Sequence, residues 1–389
     1  MDRRRLIIPA HGDKFDPADA IFRGVCTART VNAYWGASAG TDCIHYKRNA
    51  DGTYTYYMIN GNKAKQWWDR FFWYNSDDVV DFHVSPDAQI WETNNNRFNS
   101  KVITAYDFGK LAIKTKSLRE SFYNCLKLKS LDISNWDLEN CTSLYAMLAM
   151  DIGGEDTEAN KTALTAVAMP DTMETSKCTE AHKMFAWNRR LSKITGMRTV
   201  NFRAVTNFSE MFCENRELSS VDFKIDNWVS AKCTDLHSMF LQCFNLDLST
   251  LGDFTTWDVS SVKDFSNLFA RTATTSISIE GWNMSSATNV WGMFQNKAVR
   301  TDNLTLINLK GITLDPSKLA SHEAMFAGCG SLKTVILTSV NETDSPGLVD
   351  FIKSQLLADI PDRVTAEDFS LVLDDGSYRY ADGQWTLQS

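Results

Sequence analysis

Apolar residues recur along the middle of the chain at a spacing much longer than the period of one helix or strand. The pattern is clearest at a pair of residues, most often Met-Phe, whose second member we call the anchor. The anchors are Phe122, Leu148, Phe185, Phe212, Phe240, Phe269, Phe294 and Phe326. Most neighbouring anchors are 25 to 29 residues apart, and this period predicts a stack of repeated units.

Other residue types keep a fixed distance from the anchor. Twelve residues before it the chain has an apolar residue, which is Trp at Trp136, Trp228, Trp257 and Trp282. Large side chains at fixed positions of a repeat indicate a shared interior. We therefore predict a core built from these four Trp and from six of the anchors: Phe185, Phe212, Phe240, Phe269, Phe294 and Phe326.

Each unit also has a local pattern. LKSLDIS (128–134) carries apolar residues with the spacing of a leucine-rich-repeat strand. CTSLYAMLAM (141–150) carries them at spacings of three and four, which predicts a short helix. The predicted fold class is an α/β solenoid, a leucine-rich-repeat-like stack of units with a short strand and a short helix each.

Six of the nine cysteines fall on two positions of the repeat. Cys141, Cys178 and Cys233 lie seven residues before an anchor, and Cys125, Cys243 and Cys329 lie three after one. Val and Ala share the first position in other units, so we predict that these cysteines are small buried hydrophobes. Two alternatives stay open: a disulfide between Cys141 and Cys178, and a zinc site from Cys233, His237 and Cys243. We predict no metal and no cofactor.

The combined pattern L-x-x-L-D-x-S-x-W-D followed by Met-Phe resembles the bacterial surface-protein repeat of about 26 residues found in BspA-like leucine-rich-repeat proteins. LKSLDISNWDLENCTSLYAML (128–148) and FTTWDVSSVKDFSNLF (254–269) carry the resemblance. It covers about residues 112 to 340. The resemblance implies adhesion or the binding of proteins or other surfaces, without enzymatic activity.

The segments on either side do not follow the repeat. We predict three domains: a β-rich N-terminal domain for attachment or binding (1–105), the solenoid (106–340) and a C-terminal cap (341–389). DGTYTYYMINGN (51–62) alternates between two turn dipeptides, as expected for a hairpin. The tail reads as one helix followed by a three-stranded meander, which would cover the last unit of the stack.

The N-terminal segment is rich in aromatic residues and acids. Trp and Tyr stack on sugars and dominate protein interfaces, so the candidate binding residues are Trp67, Trp68, Trp73, Tyr74 and Trp91. The alternative is that these rings form a small β core. Two of the acids, Asp77 and Asp81, could also serve a carbohydrate-active enzyme as acid and base.

Net charge and composition disfavour some classes of function. The net charge of −8 disfavours nucleic-acid binding, and no apolar run is long enough to span a membrane. The chain begins without a clear signal-peptide core, although it carries an arginine cluster. We predict a non-enzymatic binding or structural protein, a bacteriophage virion component assembled in the host cytoplasm. Its partners would be other proteins or surface glycans, and it could form a homo-oligomer. The alternatives are a bacterial cell-surface or secreted adhesin and the carbohydrate-active enzyme.

Overall fold

The structure, a computed structural model, describes residues 112–150, 162–296 and 302–388 continuously. Before residue 112 it describes the backbone of six strands. The chain divides into two compact units, of which the first comprises Met1–Cys178 and Trp187–Thr199. The second comprises Thr179–Ala186 and Val200–Ser389. The predicted domain boundaries after residues 105 and 340 stay a prediction.

Short strands dominate the described secondary structure. In chain order they are β1 (Ala20–Cys26), β2 (Ile44–Arg48), β3 (Tyr54–Ile59), β4 (Val79–Val84), β5 (Ile90–Thr93), β6 (Tyr106–Asp107), β7 (Ala112–Thr115), β8 (Ser130–Asp132), β9 (Ala166–Ala168), β10 (Thr172–Met173), β11 (Lys193–Thr195), β12 (Thr199–Val200), β13 (Ser220–Val221), β14 (Ser276–Ser278), β15 (Leu306–Asn308), β16 (Thr334–Ile336), β17 (Ser370–Leu373), β18 (Gly376–Ala381) and β19 (Gln384–Leu387). The α-helices of the described residues are α1 (Leu348–Asp359) and α2 (Pro361–Val364). Single 3₁₀ turns occur at Leu248–Thr250, Phe254–Thr256 and Pro316–Lys318.

The first unit contains a mixed sheet. Strands β2, β3, β1 and β4 pair antiparallel in that order. The sheet continues in parallel through β6, β8, β9 and β11. Strands β5 and β7 form a separate parallel pair.

The second unit contains a six-stranded sheet whose first four strands are parallel. Strands β14, β15, β16 and β17 align Ile277, Ile307, Val335 and Leu371 in one row across the sheet. All four side chains are buried, while their chain neighbours are more exposed. This alternation is the one expected of a strand with one face on the core. Strands β18 and β19 extend the sheet antiparallel.

The Met-Phe segment of each repeat was predicted to be a short helix, and the structure shows that it is not. The Met-Phe segments form consecutive turns instead. Two residues before every anchor the backbone is left-handed, with φ between 48° and 60°, at Glu120, Ala146, Lys183, Glu210, Ser238, Asn267, Gly292 and Ala324. A positive φ is required at the third residue of a type II turn and is incompatible with a right-handed helix. Met239, for example, donates to the carbonyl of Leu236 across Ser238.

Hydrogen bonds between repeats explain this departure from helix. The backbone N–H of Phe212 donates to the carbonyl of Met239 at 2.9 Å, and Phe240 donates to Leu268 at 3.2 Å. The N–H groups two residues before and two after the anchor donate to the next repeat in the same way; Glu210, for instance, donates to His237. Every second N–H of the segment therefore finds its acceptor in the next repeat. A helix would have satisfied these groups within the segment.

The large aromatic side chains lie inside. Trp136, Trp228, Trp257 and Trp282 are at most 4% exposed. Within the second unit, the rings of Phe185, Phe212 and Phe240 stack at 5.5 and 5.6 Å between centroids. The rings of Phe269, Phe294 and Phe326 stack at 5.8 Å. Phe254 lies edge-on between the two groups and contacts both Phe240 and Phe269. These columns join successive repeats through their interior.

The C-terminal segment supplies acceptors to the last repeat. The backbone N–H of Phe326 has no following repeat to bond, and the carboxylate of Asp359 at the end of α1 accepts from it at 2.8 Å. Strand β17 pairs with β16, and Asp374 accepts from the N–H of Ser339 at 2.8 Å. Residues 341–388 thus end the hydrogen-bond ladder of the second unit. Among the described residues, no helix has both the length and the apolar character needed to cross a membrane.

Candidate functional site

The cysteines whose side chains the structure describes are buried thiols rather than exposed ligands. Cys125, Cys141, Cys178, Cys213, Cys233, Cys243 and Cys329 are all buried free thiols, so Cys141 and Cys178 are not bonded to each other. Burial raises the pKa of Cys141 to about 11 and that of Cys233 to about 12. Thiols held protonated in this way are poor metal ligands and poor nucleophiles.

The three residues considered for zinc do not converge. The Cys243 thiol donates to the carbonyl of Phe212 at 3.0 Å, and the Cys233 thiol points to the carbonyl of Asp235 at 3.6 Å. His237 lies at the surface, with its side chain 34% exposed. In the part of the chain that the structure describes, no group of three or more His, Cys, Asp or Glu side chains could hold a metal ion.

His237 is instead held between two carboxylates. Its Nδ1 lies 2.8 Å from Asp235 Oδ1, and its Nε2 lies 3.4 Å from Glu210 Oε1 in the preceding repeat. Hydrogen bonds to Asp235 and Glu210 raise the pKa of His237 to about 10 against the effect of burial. Burial would raise the pKa of Glu210, but His237 and Lys183 outweigh it and the pKa is lowered. Lys183 Nζ lies 3.2 Å from Glu210. The imidazole is therefore a fixed positive charge at neutral pH.

A ladder of polar residues runs beside His237 along the second unit. Five residues before successive anchors, isolated parallel bridges join Glu180, Asn207, Asp235, Asp264, Asn289 and Ser321. Four of these side chains accept from the N–H two residues later: Asn207, Asp235, Asp264 and Asn289. Asn and Asp favour such turns because the side chain replaces a backbone acceptor. The ladder is thus part of the fold and presents carboxylates and amides in line.

We call the surface formed by the positions five and three residues before the anchors the turn face. Its second row in the second unit consists of His182, Ser209, His237, Ser266, Trp291 and Glu323, of which Ser209 is buried and the others are at least partly exposed. Trp291 is 38% exposed and is one of two exposed large apolar residues in the described part of the chain. Sequence analysis missed it, although it is an aromatic residue at a position that is mostly polar in the other units.

The N-terminal candidates lie outside what the structure describes. Trp67, Trp68, Trp73, Tyr74 and Asp77 fall in segments that are not described. Trp91 lies in β5 and Asp81 in β4, for which only the backbone is described. Their proposed roles in binding or catalysis therefore stay predictions.

Comparison with solved structures adds little. A structure titled as a leucine rich cell surface protein from Faecalibacterium prausnitzii A2-165 is 12% identical. The match covers 76% of this chain and 87% of that one, with a TM-score of 0.16. A score this low carries no argument about fold or function. No curated protein matches the sequence.

A protein-family comparison is informative. The family described as "Mycoplasma protein of unknown function, DUF285" matches residues 90–161, 155–252, 179–308 and 217–340. Overlapping matches of this kind are expected when one repeat recurs along a chain. Together they span well over half of the 389 residues. The prediction of a repeat protein is confirmed, and the chain belongs to this family, DUF285.

Proposed function

We propose that this chain is a non-enzymatic binding protein of the BspA-like kind, in which the repeats form a solenoid that presents the turn face to a partner at a cell surface. The single observation that carries the proposal is the backbone ladder from Glu180 to Ser321. It holds polar side chains in line over six repeats and fixes their positions without further ordering on binding. Preorganised surfaces bind with a smaller entropic penalty.

The division of chemistry between inside and outside supports this function. The described thiols, the four indoles of the repeat core and the anchor rings are buried, and the Trp257 and Trp282 indole N–H groups donate to backbone carbonyls at 2.8 Å. What varies from one repeat to the next lies outside, on the turn face. A protein that selects partners through a constant scaffold and a variable surface fits this arrangement.

The virion role predicted from the sequence receives no support from the family match or from the geometry, so the surface role is the one we propose. The enzyme alternative depends on Asp77 and Asp81. It is distinguished by turnover: a binding protein leaves its partner chemically unchanged.

Because the native thiols that the structure describes are buried, a cysteine introduced on the surface can be modified selectively. One face of the protein can then be blocked at a time. Thr234 is exposed beside Asp235 on the turn face, and Ser220 is exposed in strand β13 of the same repeat. The variants Thr234→Cys and Ser220→Cys would each place one reactive thiol on one surface. Coupling polyethylene glycol maleimide to it then covers that surface, because buried protonated thiols react slowly. The unsubstituted protein treated with the same reagent measures background labelling.

Binding would be measured by biolayer interferometry against immobilised extracellular-matrix proteins, mucin and bacterial wall polysaccharide. We expect saturable binding to at least one ligand, lost when Thr234→Cys is modified and retained when Ser220→Cys is modified. Equal loss in both variants, or no binding to any ligand, would contradict the proposal. Release of sugars that disappears in Asp77→Ala or Asp81→Ala would favour the enzyme instead.

A further inference from the structure

The backbone bonds at Trp291 do not depend on its indole. Its backbone is fixed, since its N–H donates to Asn289 Oδ1 at 3.0 Å and its carbonyl accepts from Asn267 at 2.9 Å. The same position in other repeats holds Ser209, His237 or Ser266 with the same backbone bonds. These backbone bonds therefore do not need an aromatic ring at this place.

The chain itself shows what such a ring binds. The guanidinium of Arg119 lies 4.1 Å from the ring centre of Tyr145, and both residues stand three before an anchor in neighbouring repeats. The guanidinium of Arg216 lies 5.8 Å from the ring centre of Phe244, and both stand four after an anchor. In both cases a cation from one repeat contacts the aromatic ring at the same position of the next repeat. A cation over an aromatic face is attracted by the ring quadrupole.

A carboxylate accompanies each of these cations. Glu120 lies 3.8 Å from Arg119, and Glu214 lies 2.8 Å from Arg216. The recurring arrangement is thus a guanidinium that contacts a ring and a carboxylate together. It is built from neighbouring repeats, with the Arg119 side chain 43% exposed and the Glu214 side chain 6% exposed.

Trp291 has the ring of this arrangement, and Ser266 occupies the cation's position in the preceding repeat. Asn267 stands where Glu120 accompanies Arg119, so the carboxylates come from other positions of the turn face: Asp264 in the preceding repeat and Glu323 in the next. Asp264 bonds the side chain of Asn289 at 3.0 Å. Glu323, three before the next anchor, is exposed, and its backbone carbonyl accepts from Gly292 at 3.1 Å. Hydrogen bonds from its own N–H, His322 and Ser321 lower the pKa of Glu323. Among the described residues, no cation contacts the Trp291 ring and none forms an ion pair with Asp264 or Glu323.

We propose that Trp291, Asp264 and Glu323 bind an arginine side chain of a partner protein. The inference rests on the proposed function and names the chemistry of its partner. The partner guanidinium takes the place over Trp291 that Arg119 takes over Tyr145, and the two carboxylates offer the accompanying negative charge. The net charge of −8 favours the approach of a basic segment.

The probe is a short capped peptide with two arginines separated by one glycine, and its control has citrulline in place of arginine. Citrulline keeps the planar shape and lacks the charge. Binding is followed by ¹⁹F NMR on the full chain labelled with 5-fluorotryptophan, where Trp291→Phe assigns the resonance. We expect the Trp291 signal to shift with arginine and not with citrulline, and the shift to weaken as salt is raised.

Variants test each group. Trp291→Ser, which introduces the residue found at this position in other repeats, should weaken arginine binding by roughly fivefold or more. Asp264→Asn and Glu323→Gln keep the side-chain shapes, and each should weaken it by a smaller factor. Leu387→Ser removes the other exposed large apolar residue and should leave binding unchanged.

Equal binding of the arginine and citrulline peptides, or unchanged binding in Trp291→Ser, would overturn the inference. So would an oligosaccharide from the wall or mucin preparations that shifts the Trp291 signal when the arginine peptide does not. Failure of the proposed function is separate: the arginine peptide could bind at Trp291 although no immobilised ligand is bound. Conversely, modification of Thr234→Cys could block partner binding while Trp291→Ser leaves it intact. That result would contradict only this inference and not the proposed function.

Discussion

The thiol of Cys243 donates a hydrogen bond to the backbone carbonyl of Phe212 in the preceding repeat, with 3.0 Å between sulfur and oxygen. Cys329 makes the same contact with the carbonyl of Phe294 at 3.1 Å. In the first unit the amide of Asn188, also three after its anchor, donates to the carbonyl of Leu148 at 2.8 Å. Thiol and amide are thus interchangeable donors at this position, which explains why a polar amide is buried there.

Replacing this donor, at 3.0 Å from its acceptor, should destabilise the protein more than replacing the Cys233 thiol, whose contact with the Asp235 carbonyl is 3.6 Å long. Cys243→Val keeps the volume but removes the donor, and we expect a loss of about 1–2 kcal/mol in the free energy of unfolding. Cys233→Val is the matched control, since Val205 and Val262 occupy that position in other repeats. Urea unfolding followed by circular dichroism measures both. Equal losses would mean that the Cys243 contact with Phe212 contributes little.

Truncating a buried indole should lower the free energy of unfolding substantially. Trp257 is 4% exposed, stacks on Trp282 at 6.0 Å and donates to the carbonyl of Ile225 at 2.8 Å. Trp257→Ala should cost about 3–5 kcal/mol through the cavity it leaves. Trp257→Phe keeps a ring but removes the indole N–H, and should cost about 1–3 kcal/mol. A change within experimental error for Trp257→Ala, measured by thermal and urea unfolding, would contradict the interior column.

Alanine substitutions at two glycines distinguish the cost of a left-handed backbone from the cost of a steric clash. Gly196 has φ +84°, and a Cβ there would lie 2.0 Å from the carbonyl oxygen of Met169. Gly281 has φ +74° with nothing within 4 Å of the added atom. Gly281→Ala should cost about 1–2 kcal/mol from the left-handed backbone alone. Gly196→Ala should cost more than about 3 kcal/mol because backbone must move. Similar unfolding midpoints for the two variants would refute this difference.

The charge of His237 should make stability depend on pH. Because the folded pKa of about 10 lies above the usual value of 6.5, the protonated ring stabilises the fold fully below pH 6.5. This contribution declines as pH rises and is lost above about 10. With a third of the side chain exposed, screening limits it to about 1 kcal/mol.

The measurement is the difference in unfolding free energy between the wild type and His237→Gln from pH 6 to pH 10.5. We expect the wild-type advantage at pH 6 to vanish by the upper end. A difference that is flat over this range would show that the imidazole is not held in its charged form.

The last Met-Phe segment is satisfied by a side-chain acceptor, Asp359. Asp359→Ala removes the partner of the Phe326 N–H and should cost about 1–3 kcal/mol. Asp359→Asn keeps an acceptor oxygen and is the control. Burial raises the pKa of Asp359 despite the Phe326 hydrogen bond, so ionisation costs the fold stability as pH rises. Asn should therefore match or exceed the wild type at pH 7 in calorimetry. Equal losses for Ala and Asn would assign the effect to packing rather than to the hydrogen bond.

The sequence predicted the repeat correctly, but it did not predict the backbone conformation of the Met-Phe segment. Apolar residues at spacings of three and four around each Met-Phe pair predicted a helix, and the structure has consecutive turns with positive φ at residues such as Glu210 and Ser238. The periodicity of apolar residues is similar in both cases, because it reflects burial and not backbone hydrogen bonding. Trp291 was missed for a related reason: its exposure of 38% depends on how the packed chain covers the ring, which its own sequence position does not reveal.

The sequence by itself determined the period, the registers and which side chains repeat as a set, because stacked units must place apolar groups where the neighbouring units can cover them. Only the tertiary structure decided where the backbone N–H groups of each anchor segment find acceptors. Those acceptors, such as the carbonyl of Met239 for Phe212, lie about one repeat away along the chain. A bond of that range leaves no local signal in the sequence, so the choice of turn over helix, and of Cys243 as a donor, was made by the neighbouring repeat.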